Sequence, residues 1–245
     1  MRKHRIPVGW PSPDPRHYRF PLPNAVWEFK LKPVEFEFLS YLCCCHCHHH
    51  NAEKISAEAV AKAVHMTTGT VKKYLSSLAN KKLITDEFAL APALQLTDDR
   101  MFFTLPNEIF LLSLPPSAFM VYAYLLLIED RKTHTCHPSY NTIANQTGMT
   151  RNTVIKSIGI LLDAKLIAIE HSRYFDKHGM KWNGNNLYTI LPTQQAVDTH
   201  HQRQLRQLEL DAERRRVRQR QEAYDRRHPR VSLCALATPG PAPTT

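Results

Sequence analysis

The stretch that decides the fold runs Pro138-Ser139-Tyr140-Asn141-Thr142-Ile143-Ala144-Asn145-Gln146-Thr147-Gly148-Met149-Thr150-Arg151-Asn152-Thr153-Val154 and closes on Lys165-Leu166-Ile167. Ser139 and Thr150 are good helix N-caps, because a hydroxyl oxygen there accepts from one of the first unpaired backbone N–H groups. Ala144 is small enough for two helices to cross on it. Gly148, four residues on, tolerates the positive φ of a tight turn. Val154 supplies a branched apolar contact six residues after the glycine. Val154, Ile158 and Leu161 share one helical stripe, which leaves Arg151, Asn152, Thr153 and Lys156 projecting from the start of the second helix, just after Thr150. Leu166-Ile167 then begins a strand. A hairpin is expected across Ile167–Phe175 and Asn186–Leu191, around a polar loop holding Asp176, Gly179 and Gly184.

Moving outward, the same pattern occurs 83 residues earlier, in register and without a gap. Phe20, Leu22, Pro23, Asn24, Leu31, Pro33 and Phe36 recur as Phe103, Leu105, Pro106, Asn107, Leu114, Pro116 and Phe119. Ser56, Ala61, Met66, Thr67, Thr70, Val71 and Lys73 recur as Ser139, Ala144, Met149, Thr150, Thr153, Val154 and Lys156. With Tyr41, Leu42, Leu78, Lys82, Leu83 and Ile84 and their counterparts, twenty identities fall within 65 positions, which implies two copies of one fold. Each copy opens on an extended Leu-Pro-Asn segment. Pro33 or Pro116 then starts a helix where proline is best tolerated. A short second helix, a turn, a third helix and a strand follow. The fold class is therefore mainly α with small β wings (α+β): two tandem winged-helix domains from an internal repeat, plus a C-terminal Arg-rich helix. The divisions are a basic tail over 1–19, domain one over 20–95, a linker over 96–102 and domain two over 103–192, its paired helices over 139–165. An Arg-rich helix over 193–230 and a tail over 231–245 complete the chain. Both tails are expected to be disordered, being Pro-rich at their ends.

The second and third helices of each copy have helix-turn-helix spacing, a geometry that seats the start of the last helix in a DNA major groove. Arg suits guanine edges or phosphates and Asn suits adenine edges, so the second copy, with Thr150, Arg151, Asn152, Thr153 and Lys156, is expected to read sequence. The first copy offers Thr68, Thr70, Lys72 and Lys73, a set biased toward phosphate, and carries His65 where the turn favours glycine. Arg173, Lys177, His178 and Lys181 on the hairpin are candidates for phosphate or minor-groove contact. Residues 138–167 closely resemble the winged helix-turn-helix family of bacterial regulators and mobile-element replication proteins. The stretch from Phe102-Phe103 through Leu105-Pro106 also resembles the N-terminal domain of plasmid replication initiators. Together the resemblance covers about 170 of the 245 residues. It implies a bacterial, cytoplasmic double-stranded-DNA-binding protein with no catalytic site, acting as a replication initiator or a transcription regulator of a plasmid or other mobile element. A second copy of the chain, in a homodimer, or other replication and transcription proteins are the protein partners this leaves open.

Composition supports part of this. The formal net charge is +10, and an excess of that size suits an anionic partner. It is unevenly placed. Residues 1–20 hold five Lys/Arg against one acid and residues 200–230 hold ten against five, which leaves about +1 for everything between. The near-neutral middle keeps a second function class open, a tandem module that assembles proteins through its third helices. The run Arg214-Arg215-Arg216-Val217-Arg218-Gln219-Arg220 suits phosphate contact without sequence preference. It equally suits a solvated helix held by pairs such as Asp211/Arg215 and Arg218/Glu222. No apolar run is long enough to span a bilayer, so no membrane partner is expected. The run Cys43-Cys44-Cys45-His46-Cys47-His48-His49-His50 invites a zinc reading. One helix cannot readily wrap four ligands around an ion, however, and Cys43–Cys45 align with Leu126, Leu127 and Ile128 of the second copy. The cysteines therefore read as small hydrophobes, and no metal or other cofactor is expected.

Overall fold

The computed structural model describes residues 19–48, 57–64, 66–85, 90, 91, 94, 102–175 and 181–228. The chain divides into a unit up to His200 and a second unit from His201 onward.

In the first unit the repeat appears element for element up to the third helix of each copy. Strand β1 (Arg19–Pro23), a 3-10 turn over Asn24–Phe29 and helix α1 (Pro33–His48) recur as β2 (Phe102–Pro106), a 3-10 turn over Asn107–Leu112 and α4 (Pro116–Ile128). Helices α2 (Ala57–Ala63) and α3 (Thr68–Asn80) recur as α5 (Tyr140–Thr147) and α6 (Arg151–Asp163). Even the backbone kinks match. Lys30 and Ser113, which end the two 3-10 turns, have φ of 44° and 49°, and Lys82 and Lys165 have φ of 57° and 60°. Both α1 and α4 begin at proline, as the sequence indicates.

The two copies share one hydrophobic core. β1 and β2 pair antiparallel, with Phe20 opposite Leu105 and Leu22 opposite Phe103. Since Phe103 and Leu105 are the counterparts of Phe20 and Leu22, the ladder is symmetric about the Pro21–Thr104 pair. The aromatic side chains obey the same symmetry. Phe36 meets its own counterpart Phe119 at 6.0 Å between ring centroids. Trp27 meets Tyr124 at 5.6 Å, and the mirrored pair, Phe110 and Tyr41, lies at 5.3 Å. Trp27 with Phe103 (6.3 Å) and Phe110 with Phe20 (5.8 Å) form a third matched set. The copies are thus packed like the halves of a two-fold dimer, through one self-complementary patch. Aromatic residues dominate that patch because each buries a large apolar area and stacks favourably in tilted or edge-on pairs.

One polar cluster breaks the symmetry. Glu35 is buried, and its carboxylate accepts from the Lys32 backbone N–H at 2.9 Å, Ser77 Oγ at 2.7 Å and Lys81 Nζ at 2.6 Å. It ties the start of α1 to the end of α3. In the second copy the three side chains are replaced by Ala118, Ile160 and Ala164, so α4 and α6 pack without the polar tie.

The wing is unequal between copies. After α6, β4 (Ile167–Phe175) and β5 (Lys181–Ile190) form the expected hairpin, and β3 (Thr135–Cys136) joins it in the order β3-β5-β4. β5 starts five residues before the expected Asn186, so Gly184 lies within the strand and not in the loop. In the first copy the described residues provide only a bridge between Ile84 and Leu90.

The Cys run ends α1. Cys43, Cys44 and Cys45 are buried in the core, where burial pushes the Cys45 thiol up to about 11 and the other two higher still. Among the described residues no three His, Cys, Asp or Glu side chains come together as a metal site.

α7 (Thr193–Arg227) begins in the first unit, where Ala196 is buried and Val197 packs on the core. In the second unit its side chains are almost all exposed, Leu205 and Leu208 included. Arg218 pairs with Glu222 at 3.0 Å as the i,i+4 spacing suggests, whereas Asp211 takes Arg214 at 3.7 Å and not Arg215. Among the described residues no helix is long and apolar enough to cross a membrane.

Candidate nucleic-acid interface

The geometry of α5 and α6 is built by three local devices. Ser139 caps α5, accepting from the Thr142 backbone N–H at 3.0 Å. Gly148 then turns the chain at φ 67°, its N–H returning to the Ala144 carbonyl. Thr150 caps α6, accepting from the Thr153 backbone N–H at 3.2 Å. Each device satisfies backbone groups that a helix end would leave unpaired, and together they set the angle at which α6 leaves the turn.

Val154, Ser157, Ile158 and Leu161 face inward from α6 and are buried. Arg151, Asn152 and Lys156 are exposed, on the outward side, together with the cap Thr150. Thr153 departs from the expected projection. It is half-buried, and its hydroxyl lies 2.8 Å from that of Thr150, so it serves the cap. No acidic residue occupies the first turn of α6, so the positive end of the helix dipole is not cancelled locally.

Two features of this surface were not foreseen from sequence. The Arg151 guanidinium sits over the Tyr140 ring, 6.0 Å from its centroid, so the first residue of α5 steadies the first residue of α6. No short-range spacing signals this pair, because it depends on the turn between the helices. Ile155 is 39% exposed and lies on the outer side of α6, where an apolar side chain suits a thymine methyl group. Its signal was available: an Ile that falls off the apolar stripe.

The first copy repeats the scaffold with different chemistry. Thr67 caps α3, accepting from the Thr70 N–H at 3.3 Å, and Val71, Leu75 and Leu78 are buried. Thr68, Lys72 and Lys73 are exposed, whereas Thr70, like Thr153, is half-buried with its hydroxyl 2.9 Å from the capping hydroxyl. Register places Thr68 where the second copy has Arg151, Gly69 where it has Asn152 and Lys72 where it has Ile155. Both groups of base-reading type are therefore absent from the first turn of α3. Of the wing candidates, Arg173 lies on β4 opposite Asn183, next to a bulge at His171, and Lys181 opens β5 opposite Phe175. Lys177 and His178 lie outside the described residues.

No curated protein matches this chain. Residues 112–167, which span the end of the second 3-10 turn through α4, α5 and α6, match the family model described as a helix-turn-helix domain, and the chain carries such a domain there.

Proposed function

We propose that this protein binds double-stranded DNA and reads its sequence with the start of α6, without a catalytic role of its own. The observation that carries the reading is the division of α6 into a buried apolar side and an exposed first turn bearing Arg151 and Asn152, inside the segment that matches a helix-turn-helix domain. Arg and Asn make the paired hydrogen bonds that discriminate guanine and adenine in the major groove. Lys156, Arg173, Lys177 and Lys181 would meet the backbone around that contact. α3, with Thr68, Lys72 and Lys73, and Thr70 at its capped end, would hold phosphates and set the register. The Arg-rich part of α7 would add affinity that does not depend on sequence.

The resemblance to plasmid replication initiators supports the finer reading, a cytoplasmic initiator or regulator of a bacterial mobile element. Selecting bound fragments from host and plasmid DNA separates those two roles, since origins and promoters lie in different places. A mobility shift with salt titration tests DNA binding itself. Log affinity should fall linearly with log salt, with a slope near −0.9 per phosphate neutralised. Absence of a shift at low salt would overturn the reading and leave the protein-assembly function.

A further inference from the structure

Glu37 stands on α1 where the second copy has Met120. Both side chains are buried, Glu37 at 7% exposure and Met120 at 2%. Methionine suits such a position, and a carboxyl does not. The Glu37 Oε2 atom is inaccessible to solvent and has no hydrogen-bond partner. Leaving a buried polar group of this kind unsatisfied forfeits its hydration with no hydrogen bond in return.

The carboxyl lines a cavity of about 220 Å³, walled by Val64 and Met66 at the α2–α3 turn and by Phe110, Leu114 and Phe119 from the second copy. Ser113 is the only other polar side chain among the described lining residues, and none of them besides Glu37 is titratable or charged. Burial, with no opposing charge, pushes the Glu37 carboxyl up to about 8. The cavity is below the roughly 300–1,000 Å³ of drug-sized sites, so its occupant is compact. Its walls are apolar, so the occupant is mostly hydrocarbon. The one unmet demand is a partner for a carboxyl.

We propose that this cavity binds a small apolar amine, its ammonium paired with the Glu37 carboxylate and its hydrocarbon body against Phe110, Leu114, Phe119 and Met66. On binding below the carboxyl's own titration range, the ammonium keeps its protons and Glu37 releases its own to solvent, so the buried pair is neutral overall. The pairing replaces a desolvated lone group with a charge-assisted hydrogen bond, the stronger kind. The symmetry-related position carries Met120, so each chain has one such site. Because Val64 and Met66 belong to the turn that leads into α3, an occupant would also brace the start of that helix.

The test uses the full chain and needs no DNA, so its outcome is independent of the function proposed above. Thermal unfolding and calorimetry are measured with cyclohexylamine and benzylamine, and with cyclohexanol and benzyl alcohol as uncharged counterparts. The amines should bind at one per chain and raise Tm by about 5–10 °C at a hundredfold excess over Kd. The alcohols should raise it far less. Glu37→Gln should abolish the difference between amine and alcohol. Glu37→Met should raise the Tm of the free protein and remove the response. Equal shifts with amines and alcohols, no shift with either, or a Glu37→Gln protein that responds like wild type would overturn the proposal.

Discussion

Glu35 and Glu37 sit two residues apart on α1 and are driven in opposite directions. Burial pushes both carboxyls up. For Glu35 the hydrogen bonds from Lys81, Ser77 and the Lys32 N–H outweigh it and leave the carboxyl below its ordinary value of 4.5. Glu37 has no such partners and rises to about 8. The consequences for stability follow from proton linkage. Glu35 contributes stability above pH 4.5 and loses it as pH falls through its lowered value. Glu37 stays protonated in the folded chain while the unfolded chain ionises, so stability falls as pH rises from about 5 to about 8. Denaturant titration across that range should show the decline in wild type and a much flatter profile in Glu37→Gln. Equal profiles would mean that Glu37 has a partner in solution.

At the scale of elements, the helices and their caps were legible in the sequence because each is specified locally. Ser139, Gly148 and Thr150 act on neighbours within four residues, and the apolar stripes of α3 and α6 repeat at helical spacing. What could not be read depends on distant partners. Pairing of Phe20 with Leu105 and the seat of Arg151 over Tyr140 belong to the assembled fold. β5 begins earlier than the sequence indicates because Gly184 reads as loop, whereas it falls at the register shift between the His171–Asn186 and Arg173–Asn183 pairs, and a glycine inside a strand often marks a bulge. The hydroxyls of Thr70 and Thr153 lie against those of the capping Thr67 and Thr150, a contact that the helical stripe alone does not signal. The lysines of α3 give a further check. Lys72→Ala and Lys73→Ala should each weaken binding to all duplexes alike and reduce the salt slope by about one. A loss confined to one sequence would assign α3 a base-reading role instead.

Across the whole molecule, the duplication explains why two short helical heads are stable. Neither copy closes its own aromatic patch; each completes that of the other. Phe36→Ala should cost about 3–5 kcal/mol and lower Tm by about 10 °C in a single transition, since the two copies share one core. Two separate transitions, one of them unchanged, would show that the copies unfold independently. The shared core also holds α3 and α6 as fixed parts of one body, so the account finally rests on what the exposed turn of α6 does. The most direct measurement compares the affinity of wild type with that of Arg151→Ala and Asn152→Ala, for a selected site and for a scrambled duplex, at one salt concentration. The account predicts that each substitution costs about 1–3 kcal/mol on the selected site and much less on the scrambled one. Equal losses on both duplexes would contradict it.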